Sequence, residues 1–205
     1  MALTVLNHPV AKHLLTRLRD RTTDAATFRA LCHRLTTFLV IEATRDLETC
    51  PDQVETPLES FEGSALAREL VVVPILRAGL GMLHTVTDLF PKVAVGYVGL
   101  ERDHQTAEAR SYYCKLPPLE GRCVLVVDPM LATGGSAEQA IALLKDAGGN
   151  DVRLIAMVAA PEGVARVEAS FPEVAIFTAG LDRGLDERKY IRPGLGDFGD
   201  RLYGT

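Results

Sequence analysis

Asp128 is followed closely by Thr133, Gly134, Gly135 and Ser136, in the segment Val126-Val127-Asp128-Pro129-Met130-Leu131-Ala132-Thr133-Gly134-Gly135-Ser136. A single carboxylate next to a loop of glycines and hydroxyls suits a phosphorylated sugar. The carboxylate accepts hydrogen bonds from sugar hydroxyls, while loop amides and the positive end of a following helix hold a phosphate. Taken alone, the glycine loop is equally an ordinary strand-to-helix turn with Ser136 as N-cap. Two arginines extend the anion chemistry. Arg77 lies beside Gly79 and Gly81, and a guanidinium offers a planar fork of donors matched to phosphate oxygens. Arg102 belongs to the polar run Glu101-Arg102-Asp103-His104-Gln105-Thr106, a composition that suits a lid closing over an anion and excluding water.

These residues need elements to position them. Cys123 to Val127 is a continuous apolar run that reads as a buried strand ending at Asp128, and Ala137, Ile141 and Leu144 share one face of a helix opened by Ser136 and stopped at Gly148-Gly149. Leu70 to Leu76 reads as a second strand, with Pro74 expected to end it early or make it irregular. Val93 to Leu100 reads as a third, followed by a loop over 101–110 and a short strand over 111–116. Val152 to Ala160 and Val174 to Thr178 are further strands; Ala78 to Phe90 and Glu162 to Phe171 are helices. Upstream, a short helix over 10–20 places Val10, Leu14 and Leu18 on one face, and Thr23 or Asp24 caps a longer helix over 25–46. Residues 49–63 read as a connecting hairpin or loop, and the glycine-rich tail from Gly180 has no clear element. Strands apolar on both faces, alternating with helices, predict an α/β fold with a mostly parallel central sheet flanked by helices and a helical N-terminus. Arg77, Arg102 and Asp128 then fall at the carboxyl ends of strands, where such sheets bind ligands.

Length and composition narrow the classes. The chain has 205 residues, 47% of them hydrophobic, which predicts one domain over 1–205 with a substantial core. No apolar run is long enough for a membrane span and the N-terminus has no secretory pattern, so a soluble cytoplasmic protein is expected. Cys32, Cys50, Cys114 and Cys123 form no metal or redox spacing, and Cys32 and Cys123 read as buried thiols. A net charge of −5 argues against a nucleic-acid surface. It also means that an anionic ligand requires local compensation by arginines, a helix N-terminus and a divalent cation. Mg²⁺ is expected, carried by substrate phosphates and water with no direct protein ligand.

The string Asp128-Pro129-Met130-Leu131-Ala132-Thr133-Gly134-Gly135-Ser136 closely resembles the phosphoribosyl pyrophosphate (PRPP) motif of uracil phosphoribosyltransferases. The resemblance includes the single acidic residue followed by proline, where most related transferases have two adjacent acidic residues. Val73-Pro74-Ile75-Leu76-Arg77-Ala78-Gly79-Leu80-Gly81-Met82 looks like that family's pyrophosphate loop, Ala159-Ala160-Pro161-Glu162-Gly163 is also family-like, and Tyr190-Ile191-Arg192-Pro193-Gly194-Leu195-Gly196-Asp197-Phe198-Gly199-Asp200-Arg201 looks like its uracil-binding segment. Two departures stand out: Glu101 replaces a tyrosine before Arg102, and Phe198 replaces an alanine.

The resemblance implies a type I phosphoribosyltransferase-like fold with a small C-terminal hood, and transfer of a phosphoribosyl group from PRPP to uracil, giving UMP. Asp128 would accept from the ribose hydroxyls, the loop from Pro129 to Ser136 would bind PRPP with Ala132 to Ser136 around its 5-phosphate, and Arg77 and Arg102 would neutralise pyrophosphate. Ile191, Gly196 and Phe198 would contact uracil through backbone groups. Asp197 would reach toward PRPP or the Mg²⁺ shell. A homodimer or homotetramer and GTP as an effector are implied by relatives. Two other readings stay open: the same chemistry on another base, and a nucleotide-sensing RNA-binding regulator.

Overall fold

The computed structural model describes residues 3–102 and 109–205. In chain order the elements are β1 (Leu3–Val5), α1 (Pro9–Arg19), α2 (Ala25–Ala43), β2 (Thr49–Glu55), β3 (Ser60–Leu66), β4 (Leu70–Leu76), α3 (Leu80–Leu89), β5 (Ala94–Val95), β6 (Tyr97–Arg102) and β7 (Ala109–Lys115). They continue with β8 (Cys123–Val127), β9 (Met130–Leu131), α4 (Gly135–Asp146), β10 (Asp151–Ala159), α5 (Pro161–Ser170), β11 (Ala175–Leu181), β12 (Gly184–Leu185), β13 (Ile191–Arg192) and α6 (Phe198–Tyr203).

The main sheet runs β1-β11-β10-β8-β4-β6-β7. All its pairings are parallel except β6 with β7. Alternation within the apolar runs divides the core into two layers. Leu70, Val72, Cys123, Leu125 and Val127 face one side, with Leu18, Phe28, Leu35 and Met82. Val71, Val73, Val124 and Val126 face the other, with Ala137, Ile141, Leu144, Val164 and Val167. Burying each such side chain contributes about 1.5–3 kcal/mol, which is why near-continuous apolar runs become central strands.

Several expectations change in detail. Pro74 does not interrupt β4, which runs regularly to Leu76 and pairs with β8 from Leu70 to Pro74. The ladder gap instead falls on the other side, where β5 and β6 stand as separate pieces in an unchanged register, because Pro74 has no N–H to donate. The strand expected to end at Leu100 continues to Arg102, and its partner β7 begins at Ala109, so the expected 101–110 loop is shorter. Asp103, His104, Gln105 and Thr106, the body of the expected lid, lie outside the described residues, as do Ala107 and Glu108. Val10 is exposed on α1; the buried face is Ala11, Leu14, Leu15 and Leu18. Asp24 caps α2 by accepting from Ala26 and Thr27 N–H, and α2 stops at Ala43. The 49–63 region is an antiparallel hairpin, β2 with β3, extending to Leu66. No helix among the described residues is long and apolar enough to cross a membrane.

Candidate active site

Arg77, Arg102 and Asp128 come to one edge because β4, β6 and β8 are adjacent parallel strands, and these residues follow or end them. Arg77 is exposed immediately after β4. The turn behind it is tight: Gly79 N–H donates to Ile75 O at 2.9 Å, and a side chain on Gly79 would collide with Val127 O and the Ile75 backbone. Glycine therefore lets the Arg77 loop press against the strand that delivers Asp128.

Asp128 is itself tied down, its N–H donating to Ile155 O at 3.1 Å. The next residues are stitched to β10. Pro129 O accepts from Met157 and Val158 N–H, β9 pairs with β10, and Ala160 N–H donates to Leu131 O at 2.9 Å. The Asp128 carboxyl receives a hydrogen bond from Met130 N–H, but burial outweighs it and pushes the acid up to about 7. A desolvated carboxylate with so little support is poised for donors from a ligand.

The helix beyond begins one residue earlier than expected. Gly134, at φ +77°, is the N-cap of α4, Gly135 is its first residue, and no side chain caps it. Ser136 therefore lies within the first turn rather than at the cap. The leading amides of a helix longer than three turns stay open toward the small hollow formed by Asp128 and residues 130–137, which is the geometry of an anion cradle. The family-like segment after β10 supports this cradle from behind. A Cβ on Gly163 would stand 2.5 Å from Ala132 O, so only glycine allows the first turn of α5 to pack there.

The tail, unplaced by sequence, folds over this edge as the hood. β12 pairs with β13, and α6 follows with Asp197 as its N-cap, accepting from Asp200 N–H at 3.0 Å. Ile191 and Phe198 bury their side chains, and Phe198 meets Phe28 edge-on at 5.4 Å. The bulk of Phe198 thus fills the core, while Gly196 and Asp197 are exposed at the cleft. A cleft of about 360 Å³ brings Ile191, Gly196, Asp197 and Phe198 together with Ala78, Met130 and Ala132. A neighbouring cleft of about 370 Å³ shares Ala78, Asp197 and Gly199 with it and includes Arg77. The structure therefore gathers Arg77, Asp128, Pro129 to Ser136 and the tail residues along one edge; for Arg102 it gives the backbone position at the end of β6.

Arg188 and Lys189, which no sequence motif singled out, also line the cleft, as does Tyr190 at the start of the family-like tail segment. Lys189 adopts φ +66°, a conformation no periodicity signals. Asp186 organises that turn: its side chain accepts from Arg188 and Tyr190 N–H at 2.9 Å and pairs with Arg192. Among the described residues no three His, Cys, Asp or Glu side chains cluster to hold a metal ion.

A parallel sheet bearing an anion cradle, an arginine loop and a hood defines a phosphoribosyltransferase fold. A hypoxanthine phosphoribosyltransferase from Trypanosoma cruzi shares it with a TM-score of 0.51 at 11% identity, over 85% of this chain and 76% of that one. A solved protein from Aquifex aeolicus superposes with a TM-score of 0.94 at 39% identity, over 99% and 98%. The family described as uracil phosphoribosyltransferase matches residues 5–205, and the chain belongs to that family. Uracil phosphoribosyltransferases of Listeria innocua and Acholeplasma laidlawii are 51% and 49% identical to it, over 98% and 99% of this chain and 97% and 98% of theirs.

Proposed function

We propose that this chain transfers the phosphoribosyl group of PRPP to N1 of uracil, forming UMP and releasing pyrophosphate in pyrimidine salvage. One observation carries the assignment of roles: the tail segment and the PRPP segment, far apart in sequence, line a single cleft. In this reading the amides of Gly135 and Ser136 and the hydroxyls of Thr133 and Ser136 hold the 5-phosphate, and Asp128 accepts from the ribose hydroxyls. Arg77, with Arg102, neutralises charge as the bond from ribose C1 to pyrophosphate breaks and the bond to N1 forms. Backbone groups at Ile191, Gly196 and Phe198 match the N3–H donor and flanking carbonyls of uracil, and would mismatch the amino group of cytosine. Mg²⁺ bound with the substrate would add positive charge at the pyrophosphate, and Asp197 would reach toward PRPP or the ion's water shell. The chain's own contribution is largely orientation and electrostatics.

The finer assignments belong to the same proposal: one domain over 1–205, a cytoplasmic setting, GTP as an effector, and a homodimer or homotetramer. Assembly has a physical argument. The β2–β3 hairpin leaves Val54, Leu58, Phe61 and Leu66 exposed, Leu58 by 95%. A two-stranded hairpin is marginal in water without a partner, and a second copy would cover it. Purified protein with PRPP, Mg²⁺ and uracil should yield UMP and pyrophosphate faster than with cytosine, hypoxanthine or orotate; a faster reaction with any of these would overturn the choice of base. Adding GTP should raise the rate with uracil.

A further inference from the structure

Arg19, the last residue of α1, meets Asp182, just beyond β11. Arg19 Nη1 donates to Asp182 Oδ2 at 2.9 Å and Nη2 to Oδ1 at 2.6 Å. The same Nη1 donates to Gly194 O at 2.9 Å, and Gly194 N–H donates to Asp182 Oδ2 at 2.8 Å. One ion pair thus grips both polar backbone groups of Gly194, a residue held at φ +63°. The Asp182 side chain is only 4% exposed, and Asp182 N–H donates to Ala159 O at 2.8 Å. The carboxylate is therefore anchored at the end of β10, the strand that also holds the PRPP loop. A second arginine secures the next residue. Arg201 Nη1 donates to Leu195 O at 2.9 Å and to Leu18 O, Nη2 donates to Asp20 O at 2.6 Å, and its guanidinium covers the Phe28 ring at 4.4 Å. Gly196, Asp197 and Phe198, at the base end of the cleft, follow directly.

An ion pair with one partner buried is weak evidence for stability, since an apolar replacement of both partners is often neutral. This one registers a loop. We propose that the Arg19–Asp182 pair is a positioning device for the acceptor base, setting the backbone of Gly196 to Phe198 at a fixed distance from Asp128. The proposal rests on the tail being the base site. Reaction geometry is sensitive on this scale, a displacement of about 1 Å costing on the order of a hundredfold in rate.

The test compares Asp182→Asn, Arg19→Lys and the double variant Arg19→Met/Asp182→Leu with the parent enzyme, well below their melting temperatures. Asp182→Asn should raise KM for uracil by about tenfold or more and leave KM for PRPP within about twofold. Arg19→Lys, which keeps the charge and loses the fork, should fall between Asp182→Asn and the parent. The double variant should recover melting temperature relative to Asp182→Asn and still show the raised KM for uracil. Equal changes in both KM values, or a normal KM for uracil in the double variant, would overturn the proposal. A parent enzyme that never uses uracil would reject the base-site reading instead. The device would then be judged by amide exchange: faster exchange at 194–198 in Asp182→Asn, with 133–137 unchanged, supports it, and unchanged exchange at 194–198 refutes it.

Discussion

At the scale of single residues, Asp128 holds most of the tension between folding and function. Its acid is pushed by burial from 3.8 to about 7, so the folded chain binds this proton more tightly than the unfolded chain. Stability from the neutral form is present below pH 4 and declines as pH rises from about 4 to about 7. Asp128→Asn should therefore raise the melting temperature of the ligand-free protein at pH 8, by the equivalent of ~2 kcal/mol or more, and change it little at pH 4. Turnover of the same variant should fall by about a hundredfold or more, because the amide replaces a full acceptor at the ribose. Melting curves at the two pH values, with rates at pH 8, check both halves; a destabilised variant at pH 8 would contradict the burial argument. Arg77 is the opposite case. It is exposed, so Arg77→Ala should leave melting within about 0.5 kcal/mol while raising KM for PRPP. Phe198, which departs from the family's alanine, shows where such bulk can go: its ring is buried and docks edge-on against Phe28.

At the scale of elements, hydrophobic periodicity was a good guide wherever burial is continuous. β4 and β8 carry unbroken apolar runs, β10 carries one from Leu154 onward after Asp151 and Arg153, and α4 and α5 show one apolar face; these fix the edge on which Arg77 and Asp128 stand. β1, β9, β12 and β13 are only two or three residues long, too short for any period, and their order comes from partners elsewhere in the chain. The hood was illegible for the same reason: Gly194 and Leu195 are held by Arg19, Asp182 and Arg201, and no local pattern announces such contacts. Gly163 illustrates a signal present in the sequence whose cause is tertiary. Gly163→Ala should push α5 off the Ala132 carbonyl, costing about 1–3 kcal/mol and raising KM for PRPP more than KM for uracil. Melting and the two KM values test this; an unperturbed KM for PRPP would separate α5 packing from the cradle.

At the scale of the whole molecule, the chain carries a net charge of −5, so in the proposed reading a strongly anionic substrate would depend on Arg77 and the open end of α4 rather than on the overall field. The exposed hairpin makes a second prediction at this scale. Phe61→Arg, on a face with Val54 directly opposite, should shift the solution mass toward that of a 22.2 kDa monomer, measured by light scattering; an unchanged mass would place the subunit contact elsewhere. The two halves of the cleft also differ in how far apart their parts lie along the chain. The phosphate cradle joins near neighbours, since Asp128, Gly134 and Gly163 come from consecutive strands and helices. The acceptor side is closed by hydrogen bonds spanning 163, 175 and 183 residues. Loop-closure entropy sets an order on such contacts: during refolding the amides of α4 should gain protection before those of 194–201, so the chain grips its sugar donor before it has any place to put the base.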